Sequence, residues 1–211
     1  MEEREMIPSD WTVLHPEIED VTVFVIGEEN LEGAENLSCR TVFVPVKDWN
    51  RELSPFVYYG KGKYDRFAGE ADQTLEQLKE IIPAFQGETR YIAGYSLAGL
   101  FSLYALYETD LFDGAASVSG SLWFPGWEEY RKNAHLSKPA HVYLSLGDRE
   151  ERSRNPLWAL VGVRTKDEEK YLLEDPMIRE TVYEMNEGGH FDHPSRRLLR
   201  GLTWLLKQKR R

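Results

Sequence analysis

Tyr91-Ile92-Ala93-Gly94-Tyr95-Ser96-Leu97-Ala98-Gly99-Leu100 decides how this chain folds. A short apolar run reaches a serine flanked by small residues, and a strongly apolar helical pattern starts at once. That is the layout of a strand-turn-helix corner with a serine at its tip. Such a turn is tight enough to strain the serine backbone, and bulky residues two positions before or after it would collide with strand or helix. Gly94 and Ala98 meet that demand, and Gly99 lets the helix approach the sheet. Alone, a Gly-x-Ser-x-small pattern is a weak signal, because a serine at a helix N-cap looks the same. Its weight depends on what surrounds it.

Outward from this corner, strands are expected at Val21–Ile26, Thr41–Val46, Arg90–Ala93, Gly114–Val118, His141–Leu146 and Glu180–Met185. Pro45 removes one ladder donor near the end of the second. Helices are expected over Glu70–Phe85, with Leu75, Leu78, Ile81 and Ile82 at helical spacing, and over Ser96–Tyr107. Further helical pieces fall within Leu157–Leu173 and at Ser195–Lys207. Lys47–Gly69 and Gly120–Trp127 read as loops. Strands alternating with helices make an α/β fold, a mostly parallel sheet with helices on both faces. Functional sites in such sheets form at the carboxyl ends of the strands.

At 211 residues the chain fits one domain, residues 1–211, with a substantial core. A formal net charge of −10 argues against nucleic acid, whose phosphates demand a basic surface, and suits a cytoplasmic enzyme. The acidic stretch Met1–Asp10 has no apolar core of a signal peptide. No apolar run approaches the ~20 residues of a membrane span. The single cysteine, Cys39, rules out an intrachain disulfide and reads as a small buried residue.

Serine is a poor nucleophile at neutral pH. It needs a base within hydrogen-bond reach, and the base needs a group that fixes its tautomer. His190 follows the last expected strand and a Gly188-Gly189 turn, where the base falls if the residues follow the order serine, acid, histidine known from α/β-hydrolases. His193, before Pro194, falls at the terminal helix start; His135 and His141 fall at the opposite edge of the sheet; His15 reads as structural. The acid should come from the loop after His141–Leu146, which reads Gly147-Asp148-Arg149-Glu150-Glu151. A common arrangement places it three residues after the glycine, which favours Glu150, with Glu151 next and Asp148 third. The oxyanion needs two preorganised amides. Leu97 supplies one, and the loop after Thr41–Val46, at Trp49, is expected to supply the other. Trp49, Tyr95, Trp123, Phe124 and Trp127 fall in loops at the same edge and are expected to shape an aromatic substrate pocket, with Trp158 and Arg164 bordering it.

With these residues placed, the chain resembles the esterase D-like branch of the α/β-hydrolases, which includes enterobactin (enterochelin) esterases. The resemblance rests on Val46–Pro55 (VKDWNRELSP), the Gly94–Phe101 corner, Val118–Gly126 (VSGSLWFPG) and Gly188-Gly189-His190-Phe191, taken in order. It implies a serine esterase that works through an acyl-enzyme on a small-molecule ester, without metal or cofactor. It is uninformative about the substrate. The family sheet has eight strands and about six can be placed here, which implies a minimal, lidless version. Two other readings remain: an acyltransferase using the same residues, and a catalytically silent binding module.

Three motifs invite other readings. His190-Phe191-Asp192-His193 lacks the ligand cluster of a zinc site. The basic, leucine-rich C-terminal segment resembles a membrane-surface helix but reads better as a final helix packed on the sheet. Gly60-Lys61-Gly62-Lys63 lacks the spacing of a phosphate loop.

Overall fold

Six apolar runs and the crossovers between them assemble, in a computed structural model, into a mostly parallel sheet. The structure describes residues 7–62, 65–85, 87 and 89–208. Most of the acidic N-terminal stretch, Lys63 of the Gly60–Lys63 segment and the basic residues 209–211 lie outside the described residues.

The strands are β1 (Thr12–Leu14), β2 (Val21–Ile26), β3 (Arg40–Val44), β6 (Thr89–Tyr95), β7 (Gly114–Val118), β8 (Ala140–Gly147) and β9 (Ile178–Asn186), in the order β1-β3-β2-β6-β7-β8-β9. Only β1 runs antiparallel, on the edge beside β3. This seventh strand is absent from the sequence reading because three residues between Trp11 and His15-Pro16 are too few to show a period. Pro45 lies just past β3, so it costs the ladder nothing.

Strand alternation splits the core into two layers. Phe24, Ile26, Val42 and Ile92 face α2 (Ala71–Ile81), α3 (Leu97–Glu108), α4 (Trp127–Asn133) and α5 (Val161–Glu174). Val23, Val25, Tyr91, Ala93 and Tyr143 face Leu198, Leu202 and Leu205 of α6 (Pro194–Gln208). Each such leucine contributes about 1.5–3 kcal/mol by leaving water. Helices therefore lie on both faces, as expected. Cys39 is buried and free, and no helix is long and apolar enough to cross a membrane among the described residues.

The Lys47–Gly69 segment is more structured than a loop. It holds α1 (Trp49–Glu52), capped by the Asp48 side chain, and an antiparallel pair, β4 (Val57–Tyr59) and β5 (Arg66–Ala68). A four-residue helix and three-residue strands are shorter than any periodicity window. The unforeseen α4 has the same cause: seven residues, with Gly126 in the left-handed conformation at its N-cap.

Residues 97–107 of α3 are buried on every side. This helix follows the central strand β6 without a spacer, so its first turn is pressed against the sheet. A methyl group on Gly99 would lie 3.0 Å from the Gly94 carbonyl oxygen and 3.1 Å from Gly120 Cα. One on Gly94 would overlap the Ala98 backbone. These small residues set the sharpness of the corner, and the corner pushes Ser96 out at the carboxyl edge of the sheet.

Candidate active site

Ser96 has φ 57° and ψ −121°, a conformation that L-residues with side chains rarely adopt. Its backbone is pinned on both sides: Ser96 N–H donates to the Val118 carbonyl, and its own carbonyl accepts from Gly99, Leu100 and Ser121. Strain of about 1–3 kcal/mol is characteristic of such a position and persists only where the surroundings overdetermine it. Ser119, at the end of β7, is the second serine in this region with positive φ (48°).

Two loops converge on the corner. His190 Nε2 lies 3.0 Å from Ser96 Oγ. His190 Nδ1 lies 2.7 Å from Glu150 Oε2. The serine comes from the end of β6, the glutamate from the turn after β8, and the histidine from the turn between β9 and α6. The imidazole is thus held between a hydroxyl and a carboxylate, the geometry in which one ring nitrogen takes a proton while the other is fixed as a donor.

Glu150 Oε1 faces the opposite way and accepts three bonds. They come from Gly147 N–H (2.7 Å), Ser119 Oγ (2.7 Å) and Arg197 Nη1 (2.9 Å). Burial alone would raise the Glu150 carboxyl. The hydrogen bond and charge of His190, the Ser119 hydroxyl and the Gly147 amide outweigh burial and hold it below the ordinary glutamate value. Glycine is required at 147 because a Cβ there would sit against the Gly188 carbonyl and the Arg197 guanidinium.

The other acid candidates are not brought to the histidine. Glu151 is exposed and lies over Gly162 at the start of α5. Asp148 turns toward the histidine loop's backbone, where its Oδ1 accepts from Gly188 N–H at 2.8 Å. A single-turn 3₁₀ helix over Glu150–Arg152 separates the three carboxylates in direction. In sequence they are indistinguishable.

Further placements correct the sequence reading. Trp49 follows β3, but β2 is the strand paired with β6, Ile26 opposite Gly94. The loop beside the corner is therefore the one after β2, at Gly27 and Glu28, and Trp49 packs its ring against Gly27 from one strand away. Gly27 N–H is already spent on the Val44 carbonyl (2.8 Å). Strand order is the reason: β3 comes later in the chain yet lies outside β2. Tyr95 is 7% exposed and points away from the cleft; its hydroxyl donates to the His190 carbonyl at 2.6 Å. Adjacent strand residues face opposite sides, so a residue beside Ser96 faces the core.

A cleft of about 450 Å³ opens at Ser96. Trp123, Trp158, Val161 and Phe191 give it apolar walls, and Arg149 and Arg152 stand at its rim. Trp123 and Trp158 pack with ring centroids 5.9 Å apart, and Phe191 is 89% exposed with its ring edge-on to His190. Phe124 is not part of this wall. It is 2% exposed, packed edge-on against Phe67 in the core. Trp127 is also buried and donates its indole N–H to Glu168. Arg164 lies outside the cleft, paired with Glu128.

The residues that sequence reasoning missed are Ser119 and Arg197. Arg197 does leave a signal. It stands four residues before Gly201 and eight before Leu205, on the stripe that α6 buries. A charge on an apolar stripe needs a buried partner.

No protein-family model matches the sequence, and no curated protein matches it. Solved structures do. The siderophore hydrolase EstA from Aspergillus nidulans superposes with a TM-score of 0.71 at 18% identity, over 90% of this chain and 84% of that one. The siderophore hydrolase EstB from the same organism gives 0.65 at 16% identity, over 92% and 88%. An α/β serine hydrolase homologue from Coxiella burnetii gives 0.54 at 16% identity, over 94% and 90%. Taken with the strand order and the serine corner, these likenesses show that the chain is built on the α/β-hydrolase fold.

Proposed function

We propose that this chain is a serine hydrolase that cleaves carboxylic esters through an acyl-enzyme. The observation that carries the reading is the continuous relay Ser96 Oγ–His190 Nε2–Nδ1–Glu150 Oε2, with contacts of 3.0 and 2.7 Å. In this mechanism His190 Nε2 takes the Ser96 proton as Oγ bonds to the ester carbonyl carbon. The carbonyl π pair moves onto oxygen, which Leu97 N–H receives at the start of α3. The Glu28 amide is the second donor, since it follows the strand beside the corner and Gly27 N–H is occupied. The oxyanion collapses, the carbon–alkoxide bond breaks, and His190 returns the proton to the leaving alcohol. Water then repeats the sequence on the acyl-serine. Glu150 holds the ring in its tautomer and supports the imidazolium without taking its proton.

The aromatic walls favour an acyl or aryl group that is flat and apolar. The likeness to structures named as siderophore hydrolases adds siderophore esters to the substrates to test. The experiment is labelling with a fluorophosphonate probe, followed by peptide mapping, alongside a panel of p-nitrophenyl, aryl and siderophore esters. Covalent label on Ser96, and loss of both label and turnover in Ser96→Ala, are expected. Ester turnover at the wild-type rate by Ser96→Ala would overturn the mechanism. A folded protein that neither labels nor turns over any ester would favour a silent binding module.

A further inference from the structure

Arg197 has a side chain only 2% exposed, yet it reaches four structural elements. Nη1 donates to Glu150 Oε1 (2.9 Å), Ser119 Oγ (3.1 Å) and the Tyr95 hydroxyl (3.3 Å). Nη2 donates to the carbonyls of Glu187 (3.1 Å) and Gly189 (3.0 Å). One guanidinium thus touches the acid, the strand that carries the serine, the strand beside it, and both flanks of the turn that ends in His190. Only a planar fork can serve so many acceptors at once; an ammonium at the same place is a single point.

We propose that Arg197 is a positioning residue for the catalytic acid and base, a role that rests on the Ser96–His190–Glu150 reading above. The argument is one of occupancy. Glu150 Oε1 already receives Gly147 N–H and Ser119 Oγ–H, and Arg197 completes its shell. With Oε1 saturated, Oε2 is the oxygen left for His190 Nδ1, and the carboxylate cannot rotate to offer the other. Nη2 meanwhile fixes the turn that carries the imidazole. The distance from Oε2 to Nδ1 is then set from both ends by one side chain. Arg197 holds this position because α6 buries Leu198, Leu202 and Leu205 beside it against the sheet. A buried cation of this kind is costly unless paired. Here every partner belongs to the site or to the loops that build it.

The test compares wild type with Arg197→Lys, Arg197→Met and Arg197→Ala, using a p-nitrophenyl ester. Rates are expressed per site titrated with a fluorophosphonate, so unfolded molecules do not count. A positioning role predicts that Arg197→Met lowers kcat by about 10–100-fold with KM within about twofold, the pattern of an interaction expressed in the transition state. Arg197→Lys recovers only part of the loss, because charge returns without the fork. In Arg197→Ala the vacated space adjoins a polar depression lined by Glu187, Asp192 and Arg196. Added guanidinium or ethylguanidinium should restore kcat saturably, and ethylammonium should not. Wild-type kcat per titrated site in Arg197→Met or Arg197→Lys would overturn the proposal and leave only a folding role. Where Arg197→Ala or Arg197→Met fails to fold, Arg197→Lys decides. Failure of wild type itself to label at Ser96 would instead sink the underlying hydrolase reading.

Discussion

Replacing Glu150 by glutamine changes one atom and reverses a hydrogen bond. The carboxylate is acceptor-only and has four donors around it, three on Oε1 and one on Oε2. A glutamine must put its NH₂ group at one of the two ends. At the Oε1 end it would confront three donors, a loss of at least two buried bonds at about 1–3 kcal/mol each. At the Oε2 end it confronts one, and His190 can adapt by moving its proton from Nδ1 to Nε2. The second choice costs less, so the amide NH₂ is expected to face the histidine. That tautomer presents Nε2–H to Ser96 Oγ and cannot accept its proton. The expected fall in kcat is about 10³–10⁴-fold, or about 4–5.5 kcal/mol in barrier. Steady-state p-nitrophenyl ester kinetics measure it, with Glu151→Gln as the matched control at wild-type rate. If Glu150→Gln kept kcat within tenfold of wild type, the acid would be misassigned and the occupancy argument for Oε1 would fall with it.

Other outcomes follow from the same geometry. Gly94→Ala should cost about 1–3 kcal/mol through overpacking against Ala98, seen as a lower denaturant midpoint; an unchanged midpoint would mean that the corner is looser than described. Trp158→Ala should raise KM for aryl esters by about 5–30-fold, the equivalent of about 1–2 kcal/mol of lost apolar contact, while short acetyl esters change little; equal effects on both would remove Trp158 from the substrate wall. Tyr95→Phe leaves the part-buried His190 carbonyl short of a donor and should lower stability by about 1 kcal/mol, read by thermal melting. Because the Glu150 carboxyl sits below the usual value of 4.5, its interactions stabilise the fold above that pH and are lost as pH falls through the lowered value. The stability gap between wild type and Glu150→Gln should therefore be wider at pH 7 than at pH 3 by chemical denaturation, and an equal gap would contradict the linkage.

The sheet was legible wherever a strand was long enough to carry a run of β-branched residues, as at Val21–Ile26, and wherever a helix showed its spacing, as at Leu75, Leu78 and Ile81. The serine corner was legible because sterics permit so few residues at positions 94, 98 and 99. What escaped was spatial. Nothing in a linear chain says that β3 lies outside β2, and so the sequence points to the loop at Trp49 for a corner that Gly27 and Glu28 adjoin. Three carboxylates in a four-residue span differ only in the direction a 3₁₀ turn gives them. Tyr95 and Phe124 looked like pocket residues because aromatic side chains near a strand end can face either side, and here both face inward. Arg197 was visible only as a charge in the wrong place on an amphipathic helix.

The reach of Arg197 has a consequence for when the proposed site is assembled as the chain is made. His190 follows Ser96 by 94 residues, and Arg197 follows Tyr95 by 102. At about 5–20 residues per second of synthesis, Ser96 emerges from the ribosome about 5–20 s before His190 and Arg197, its proposed base and the proposed positioning cation. During that interval the serine exists without a proton acceptor. On the proposed mechanism, competence for hydrolysis arrives in one late event, the docking of α6, so a nascent chain carries Ser96 unarmed until almost the whole fold is in place.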